Sequence, residues 1–268
     1  MTSLTKMDSL IVDLDGVLWR GPEMLPGVNE FFDHVNRSGM KLLLASNNST
    51  ARPDAVRDRL KDAGVELPVE AILTSALATA AYLTRSLPPG ATLLMIGEDG
   101  LEHALTQSGF NLVDGAESAQ AVVVGMDRSV TYDKLAEATL AIRNGAAFVG
   151  TNPDRTFPTP RGLVPGNGSL LAALQAATDQ APIIVGKPER RYFELALEKL
   201  GSRAETTLML GDRLDTDIQG AQNAGLNTCL VLTGVTDRAT LAQSSLKPTW
   251  VFSGLMELTA ALDEAHHA

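Results

Sequence analysis

Cysteine is almost absent from this chain of 268 residues, which contains only Cys229. An intrachain disulfide is therefore impossible, and a lone thiol inside the apolar run TCLVLTG is typical of a small core residue rather than a nucleophile. No apolar run approaches the roughly 20 residues that a membrane-spanning helix needs. The N-terminal sequence MTSLTKMDSL has no basic region followed by a long apolar stretch, so it predicts no secretory signal. We expect a cytoplasmic protein without a membrane partner.

Basic residues are also scarce, because 22 lysines and arginines stand against 32 aspartates and glutamates, for a formal net charge of −10. This balance argues against a general nucleic-acid binder, since phosphate backbones attract basic surfaces. It does not exclude a small phosphorylated substrate, because a local cluster of donors or a metal can outweigh the overall charge. The length suffices for one large domain or two smaller ones, each with its own core.

The G-x-S-x-G pattern of a serine hydrolase nucleophile is missing as well. The four histidines lie outside every motif described below, and two of them are in the C-terminal tail; they are His34, His103, His266 and His267. We therefore predict no catalytic role for a histidine or for a serine of that kind.

Short, β-rich apolar runs do recur along the chain, and amphipathic stretches with apolar residues three and four positions apart separate them. The predicted strands include LIVDLD, KLLLASNN, ATLLMIG, AVVVGMD, AAFVGTN, APIIVGK, TLMLGD, TCLVLTG and TWVFSG. The predicted helices include GVNEFFDHVNRSG, DAVRDRLKDAG, YDKLAEATLAIRNG and PERRYFELALEKLG. Unbroken apolar strands that alternate with helices predict an α/β fold with mostly parallel sheets.

The middle of the chain, residues 76–182, has its own strands and helices but no comparable group of acidic residues. We interpret it as a second domain inserted into a first one, which comprises residues 1–75 and 183–268. Within the insert, the stretch from Thr151 to Ser169 is rich in proline and glycine, which predicts a long irregular loop. Long ordered loops of this kind often carry function.

Four of the predicted strands end in polar residues. LIV leads into Asp13, LLLA into Ser46, IIVG into Lys187 and LMLG into Asp212. Parallel sheets place functional loops beyond the carboxyl ends of their strands. If these strands are neighbours in one sheet, their polar ends converge.

Asp13 and Asp15 are two positions apart, so in an extended strand both side chains face the same side. Two carboxylates so close repel unless a cation lies between them or one is protonated, and Mg²⁺ prefers such oxygen ligands. One carboxylate could attack an electrophile and the other could carry a proton. A solvated turn with a helix-capping aspartate explains an isolated D-x-D-G equally well. The segment GDRLDTDI, with Asp212, Asp215 and Asp217, adds a second acidic group, although such aspartates are also common at exposed helix N-termini.

The segment ASNNS offers a hydroxyl, two amides and backbone N–H groups before a helix, and such a turn binds anions or simply caps the helix. A lysine at a strand end, such as Lys187, is usually a solvated surface charge. Beside an acidic metal site it is the group that would hold a phosphate and balance the aspartates. The combination of nucleophile, metal ligands and phosphate donors fits phosphoryl transfer.

The segments D-L-D-G-V-L-W, S-N-N-S, V-G-K-P and G-D-R-L-D-T-D-I, in this order, resemble the motifs of haloacid dehalogenase superfamily phosphatases. The double asparagine and the last motif resemble the branch of 4-nitrophenylphosphatases, phosphoglycolate phosphatases, and nucleotide and sugar-phosphate phosphatases. The resemblance implies a Rossmann-like, doubly wound parallel sheet core with a large inserted α/β cap domain. It also implies a Mg²⁺-dependent hydrolase of small phosphate monoesters that forms an aspartyl-phosphate.

The resemblance assigns catalysis and metal binding to four aspartates. Asp13 is the expected nucleophile and a Mg²⁺ ligand. Asp15 is the expected general acid and base, and its backbone carbonyl would meet the metal. Asp212 is an expected Mg²⁺ ligand, and Asp217 is expected to support the water shell of the metal. Asp215 falls at a variable position of the motif and is not expected among the ligands.

Substrate binding is assigned by the same resemblance to Ser46 and Asn47, which hold phosphate oxygens, with Asn48 alongside. Lys187 is expected to neutralise the nucleophile and the phosphate. The core motifs contain nothing that reads the rest of a substrate, so we expect the inserted domain to discriminate between esters, with Asp154 and Arg155 as candidate residues. Dimers formed through the cap are plausible from the resemblance.

Two alternatives differ in class from a phosphatase. A dehalogenase of the same superfamily needs no Mg²⁺ and does not keep the second aspartate of the first motif, whereas Asp15 is present here. A non-catalytic sensor of a phosphorylated metabolite would keep the anion-binding turn and Lys187 but could lose Asp13 or Asp15, and both are intact. A turnover assay with a generic aryl phosphate, with and without EDTA, would separate the sensor from the enzyme.

Overall fold

The computed structural model of the protein describes residues 3–159 and 161–267. The chain forms two compact units, of which the second comprises Asn47–Ala55 and Thr74–Gly186. The first unit comprises the residues up to Ser46, Val56–Leu73 and those from Lys187 onward. The segment Asn47–Ala55, which we had assigned to the first domain, is thus part of the second unit. The interpretation of the units as catalytic core and cap stays a prediction.

Strands and helices alternate along most of the chain. The strands are β1 (Ser9–Asp13), β2 (Trp19–Arg20), β3 (Glu23–Met24), β4 (Lys41–Ser46), β5 (Ile72–Thr74), β6 (Thr92–Ile96), β7 (Asn111–Val113), β8 (Ala121–Val124), β9 (Ala147–Gly150), β10 (Thr156–Thr159), β11 (Gly162–Pro165), β12 (Ile183–Ile184), β13 (Thr207–Gly211), β14 (Asn227–Val231) and β15 (Trp250–Phe252). The α-helices are α1 (Val28–Ser38), α2 (Pro53–Asp62), α3 (Ser75–Ser86), α4 (Asp99–Gln107), α5 (Tyr132–Arg143), α6 (Asn167–Thr178), α7 (Arg190–Leu200), α8 (Gln219–Asn223), α9 (Arg238–Gln243) and α10 (Leu255–His267).

The main sheet of the first unit has the strand order β15-β14-β13-β1-β4-β5. Strand β1 pairs in parallel with both β13 and β4, and β14 pairs in parallel with β13 and β15. Every residue of β1 and of β13 is buried. Strands that are covered on both faces need side chains that lose little on leaving water, which explains their unbroken apolar sequences.

The winding of this sheet reverses at β1. The chain runs from β1 outward through β4 to β5 and returns on the other side of β1 through β13, β14 and β15. The switch point therefore lies between β1 and β13, where Val12 pairs with Leu210. Ligands of doubly wound sheets bind beyond the carboxyl ends of the strands at such a point. Asp13 ends β1 there, and Asp212 directly follows β13.

Two helices of the first unit illustrate how the sequence covers the sheet. Helix α1 buries Val28, Phe31, Phe32 and Val35, which are spaced to form one face of the helix. It packs against α10 within a core cluster that also contains the strand residues of β1. Helix α1 ends at Gly39, whose φ of 68° lies in the left-handed region that glycine adopts without strain.

The second unit contains a sheet with the strand order β12-β9-β8-β6-β7, and its pairs are parallel. Its core joins strand residues such as Val122 and Phe148 to helix residues such as Ala138, Ile142 and Leu171. The two parallel sheets with their helices confirm the predicted α/β fold class, a Rossmann-like core with an inserted α/β domain.

One expectation from the sequence was wrong, and one condition that the sequence left open is not met. The stretch from Thr151 to Ser169 is not irregular throughout, because β10 and β11 form an antiparallel hairpin in which Phe157 pairs with Val164. Both strands of an isolated two-stranded ladder are edges, where proline is tolerated because alternate N–H groups point away from the partner. The four polar strand ends also do not share one sheet, because the strand that precedes Lys187, β12, belongs to the sheet of the second unit.

None of the helices within the part of the chain that the structure describes has the length and apolar character needed to cross a membrane.

Helix α5 provides a test of the second unit's core, because it contains one buried and one exposed large aliphatic residue. Ile142 is fully buried, whereas Leu140 is 52% exposed. Ile142→Ala is expected to lower the free energy of unfolding by about 2–5 kcal/mol, because the lost methyl groups leave a cavity. The control Leu140→Ala should change it by less than about 0.5 kcal/mol. Urea denaturation of both variants measures the difference, and equal losses would contradict the burial of Ile142.

Candidate functional site

Three buried aspartates of the first unit lie close together. Each of Asp13, Asp212 and Asp217 offers a carboxylate oxygen within 4.8 Å of the others. Asp13 and Asp212 come from the adjacent ends of β1 and β13. Asp217 comes from a single wide helical turn, Leu214–Ile218, in which the amides of Asp217 and Ile218 both donate to the carbonyl of Arg213 at 3.2 Å. Such π-type turns are frequent at functional sites because they redirect a side chain.

Lys187 lies among these aspartates and is only 2% exposed. Its Nζ donates to Asp13 Oδ1 and to Asp217 Oδ1, each at 2.7 Å, and to the carbonyl of Ala45 at 3.3 Å. An ammonium group has three hydrogens, and these contacts employ all of them. Lys187 is therefore not the solvated surface charge that its position after a strand would ordinarily indicate.

The charges of the cluster shift the pKa values of its members. Burial raises the pKa of Asp13 well above its usual value, and Lys187 opposes this shift while the charges of Asp217 and Asp212 add to it. Burial, followed by the charge of Asp217, raises the pKa of Asp212 to about 7. Burial lowers the pKa of Lys187, but the carboxylates of Asp13 and Asp217 outweigh it and raise the pKa above its usual value. Lys187 thus stays protonated.

Among the described residues, only one of the two carboxylate oxygens of Asp212 has a hydrogen-bond partner. Its Oδ2 accepts a hydrogen bond from the amide of Val235 at 2.6 Å. Its Oδ1 is buried without a hydrogen-bond partner among the described residues. A Cβ at Gly16 or at Gly234 would overlap with this carboxylate, and Gly16 also has a φ of +81°. Only glycine at these two positions leaves room for Asp212.

The residues present fit a divalent cation. When all three carboxyl groups are ionised, the one ammonium leaves two negative charges in a buried cluster, and burial of uncompensated charge is costly. The donor set consists of carboxylate oxygens, which hard cations such as Mg²⁺ prefer. The unpartnered Asp212 Oδ1 is a buried acceptor of the kind that a cation satisfies. A bound cation would also stabilise the ionised forms of Asp13 and Asp212.

Asp15 and Asp215 lie outside this cluster. Asp15 is exposed, and its Oδ1 accepts a hydrogen bond from Trp19 Nε1 at 2.9 Å. Asp215 is exposed and forms an ion pair with Arg213 at 2.9 Å. The side chain of Asp15 therefore does not belong to the carboxylate group that could hold a metal, and Asp215 has a partner on the surface.

The segment predicted to bind phosphate divides between the two units. Ser46 is the buried last residue of β4 in the first unit, whereas Asn47 and Asn48 belong to the second. Asn48 Oδ1 accepts hydrogen bonds from the amide and the hydroxyl of Thr50, both at 2.8 Å. Asn48 thus stabilises a local turn, which agrees with the alternative that this segment caps the start of a helix.

Asn47 is fixed within the second unit by three contacts. Its carbonyl accepts hydrogen bonds from Ser75 Oγ at 2.7 Å and Asn152 Nδ2 at 2.9 Å. Its Nδ2 donates to Asp154 Oδ2 at 3.1 Å. Asp154, which we expected to contact substrate, therefore orients an asparagine of the predicted phosphate-binding segment. Arg155 is exposed, as a residue available to a ligand would be.

Several residues around the cluster escaped the sequence analysis. Gly234 and Val235 follow β14, which neighbours β13 in the sheet. Their position after a strand end could therefore have identified both as residues near the site. Thr233 in the same loop donates its hydroxyl to the carbonyl of Gly16 at 2.6 Å and so joins the two glycine-containing loops. Trp19 is part of the segment D-L-D-G-V-L-W, but its contact with Asp15 depends on how the chain turns after β1.

Removal of the Lys187 charge tests the electrostatic arrangement. Lys187→Met is expected to lower the free energy of unfolding by roughly 3–5 kcal/mol in EDTA, because the buried carboxylates of Asp13 and Asp217 lose the ammonium group that is paired with them. The deficit should be smaller at pH 5 than at pH 8, since a carboxyl such as Asp13 with a raised folded-state pKa gains a proton as the pH falls, which favours the folded state.

The matched control is Lys199→Met, at an exposed lysine of α7 in the same unit, and it should leave the unfolding curve almost unchanged. Urea denaturation at both pH values measures these effects. A Lys187 variant as stable as the control would contradict the buried ion pairs.

Two family models match the chain. The one described as haloacid dehalogenase-like hydrolase matches residues 10–111. The one described as HAD-hydrolase-like matches residues 184–258. These ranges contain Asp13 in the first case and Lys187, Asp212 and Asp217 in the second, so the models cover all members of the buried cluster.

Relatives of known description span nearly the whole chain. An acid sugar phosphatase of Staphylococcus aureus is 40% identical over 254 residues, which are 95% of this chain and 97% of the relative. The solved structure of a 4-nitrophenylphosphatase from Thermotoga maritima is 32% identical, with a TM-score of 0.91, covering 97% of this chain and 98% of the other. A glycerol phosphate phosphatase from Mycobacterium tuberculosis, solved in complex with magnesium, is 36% identical with a TM-score of 0.87, covering 96% and 78%.

These relatives confirm the resemblance that the four motifs indicated. All three are described as phosphatases, and the similarity extends over both units rather than over one motif. The chain belongs to the haloacid dehalogenase-like hydrolases and is a phosphatase.

Proposed function

We propose that this phosphatase hydrolyses small phosphate monoesters with Mg²⁺ through an aspartyl-phosphate on Asp13. The observation that carries the proposal is the buried cluster in which Lys187 joins Asp13 to Asp217 beside Asp212. A hydrolytic site for phosphate esters needs a nucleophile, positive charge to offset the phosphoryl oxygens, and fixed positions for both. The cluster combines these features at the switch point of the sheet.

Asp13 is suited to act as the nucleophile because the hydrogen bond from Lys187 fixes its carboxyl group through one oxygen. Lys187 holds Oδ1, and Oδ2 makes no hydrogen bond among the described residues. In the first step an oxygen of Asp13 forms a bond to phosphorus, while the bond from phosphorus to the ester oxygen breaks and its electron pair leaves with that oxygen. Lys187 balances the negative charge of Asp13 and of the phosphoryl group.

Asp15 is proposed to supply the proton that the departing ester oxygen takes up. Its exposed side chain is two residues from the nucleophile and is accessible to a substrate oxygen. Once ionised, Asp15 can remove a proton from a water molecule whose oxygen bonds to phosphorus, while the bond from phosphorus to the Asp13 oxygen breaks and its electron pair returns to Asp13. That second step releases phosphate and returns both aspartates to their starting states.

Mg²⁺ is the cation for which the ligand set is best suited. Asp212 Oδ1 and Asp13 are the proposed direct ligands, with the backbone carbonyl of Asp15. Both oxygens of Asp217 already accept hydrogen bonds, from Lys187 at 2.7 Å and from the amide of Arg213 at 3.1 Å. Asp217 is therefore proposed to hold Lys187 and to support the metal's water shell. When bound, the cation would polarise the phosphoryl oxygens and offset their charge.

Ser46 and Asn47, with Asn48 alongside, are proposed to hold the phosphoryl oxygens, while Lys187 neutralises the charge of the nucleophile and the phosphate. An amide nitrogen carries two hydrogens, and the contact of Asn47 Nδ2 with Asp154 involves one of them. The substrate class is proposed to be small phosphate esters of the sugar phosphate, glycerol phosphate, phosphoglycolate or nucleotide type. A screen of such esters that compares kcat/KM ranks them. The cytoplasmic location and the possible homodimer stay predictions.

The nucleophile is tested by Asp13→Asn, which keeps the shape of the side chain and removes its negative charge. Turnover of 4-nitrophenyl phosphate should fall at least about a thousandfold, because the covalent step is lost. Asp215→Asn is the matched control, since it makes the same chemical change at an exposed aspartate nearby. Steady-state kinetics of the two variants decide the matter, and near-normal turnover of Asp13→Asn would overturn the mechanism.

The metal is tested by Asp212→Asn, which weakens a proposed direct ligand. Activity should vanish in EDTA and return with Mg²⁺. The Mg²⁺ concentration for half-maximal activity should rise about tenfold or more in this variant. Titration calorimetry of Mg²⁺ without substrate gives a second measurement that does not depend on turnover. Asp237→Asn, at an exposed helix cap, is the control. Equal Mg²⁺ dependence in the two variants would exclude Asp212 as a ligand.

A further inference from the structure

The carboxylate of Asp15 accepts a hydrogen bond from Trp19, a residue to which the sequence analysis gave no role in the site. Trp19 Nε1 donates to Asp15 Oδ1 at 2.9 Å. A tight turn after β1 brings the two residues together, because the amide of Leu18 donates to the carbonyl of Leu14 at 2.8 Å and the amide of Gly16 donates to the carbonyl of Trp19 at 2.7 Å. The turn places residue 19 beside residue 15 instead of extending the strand.

The indole ring itself has a fixed position. Trp19 is only 4% exposed and pairs with Met24 in the short hairpin of β2 and β3. The guanidinium carbon of Arg59 lies 4.0 Å from the centre of the ring, which is cation–π geometry. The same guanidinium donates a hydrogen bond to the carbonyl of Gly21 in that hairpin. Arg59 on α2 thus contacts both the indole ring of Trp19 and the hairpin to which Trp19 belongs.

We propose that Trp19, held by Arg59, is a positioning residue that determines which carboxyl oxygen of Asp15 carries the transferred proton. The inference rests on the proposed role of Asp15 as general acid and base. An indole N–H is a donor and never an acceptor. Oδ1 is therefore occupied as an acceptor of the Trp19 N–H, which leaves Oδ2 as the oxygen positioned to exchange a proton with the substrate oxygen and the attacking water.

This arrangement has a direct consequence for the chemistry. As the bond between phosphorus and the ester oxygen breaks, the ester oxygen takes the electron pair of that bond and the proton from Asp15 Oδ2. Asp15 is left as a carboxylate whose charge the indole N–H stabilises. In the second step Oδ2 accepts a proton from the attacking water. A fixed Oδ2 serves both steps, whereas a freely rotating carboxyl group would present the proton in the right direction for only part of the time.

The buried indole N–H of Trp19 needs an acceptor, whereas the carboxylate of Asp15 does not need this donor. Asp15 is exposed, and an exposed carboxylate is well solvated by water. The Asp15 side chain loses conformational entropy when it is held against the buried indole, and it would not lose that entropy if water solvated it instead. The negative charge of Asp15 also acts on Arg59, where it opposes the lowering of the arginine pKa by burial. The contact therefore serves to orient Asp15 rather than to satisfy it.

Trp19→Phe tests the proposal, because it keeps a ring of similar shape and removes the N–H. The substrates are phenyl phosphate and 4-nitrophenyl phosphate, which have related shapes but leaving groups that differ in their need for a proton. We expect kcat/KM for phenyl phosphate to fall about tenfold more than kcat/KM for 4-nitrophenyl phosphate, because kcat/KM reports the step in which the leaving group departs. Trp250→Phe, at the chain's other tryptophan, should alter neither ratio. Equal losses on both substrates would overturn the proposal.

Asp15→Asn separates this inference from the proposed function. If Asp15→Asn itself fails to harm phenyl phosphate more than 4-nitrophenyl phosphate, the proposed acid role of Asp15 is wrong. If it does so while Trp19→Phe does not, only the role of Trp19 is wrong. In the double variant, Trp19→Phe should have no further effect on the ratio, because it acts through Asp15. An additive loss in the double variant would also contradict the proposal.

A spectroscopic measurement keeps the proposal testable should Trp19→Phe fail to fold. The protein has two indole N–H groups, and Trp250→Phe identifies the NMR signal of Trp19. Asp15→Asn should move the Trp19 signal upfield, because an amide is a weaker acceptor than a carboxylate, and should leave the Trp250 signal in place. An unmoved Trp19 signal would show that the hydrogen bond does not form.

Arg59→Met removes the guanidinium and keeps the apolar stem. It should produce the same preferential loss for phenyl phosphate, reduced to about two- to fivefold, because the ring retains its N–H but loses one of its supports. Arg57→Met, two positions earlier on α2, is the control and should not change the ratio. A ratio unchanged by Arg59→Met would confine the positioning role to Trp19 and remove Arg59 from the proposal.

Discussion

The buried ammonium of Lys187 is the group on which the candidate site depends. Ionised carboxylates at the end of a core strand are costly unless a cation compensates them, and Lys187 contacts two of them at 2.7 Å. One ammonium cannot balance three carboxylates, and the remaining two negative charges favour a divalent cation. The cluster is therefore arranged for a ligand rather than for stability, which agrees with its place at the switch point of the sheet.

Space is the second constraint, because carboxylates can approach each other only where the surrounding backbone permits it. A Cβ at Gly16 or Gly234 would overlap with Asp212, and one at Gly211 would overlap with Asp217. Glycines at the ends of three adjacent strands, two of them in the loops that follow β1 and β14, thus leave room for the two carboxylates. The same loops are linked by the hydrogen bond from Thr233 to the carbonyl of Gly16, so the position of Asp212 is fixed from both sides.

Residues around the cluster hold polar side chains in place without belonging to it. Trp19 orients Asp15 in the first unit, and Asp154 orients Asn47 in the second. In both contacts a residue with a predicted role in the site is held by a side chain for which the sequence did not predict that contact. Geometry of this kind matters in phosphoryl transfer, where most of the rate enhancement comes from position and charge rather than from a strongly reactive side chain.

The sequence by itself determined the α/β class and the family, and it gave the aspartates and Lys187 as candidate site residues, because apolar periodicity and residues at strand ends are local properties. It did not determine that Lys187 follows a strand of the other sheet, that Thr156–Thr159 pairs with Gly162–Pro165, or that Asn47 belongs to the second unit. It also did not reveal the contact of Arg59 with Trp19, which are 40 positions apart. Strand pairing and side-chain contacts between distant segments depend on which surfaces meet when the chain folds, and only the tertiary structure decides that.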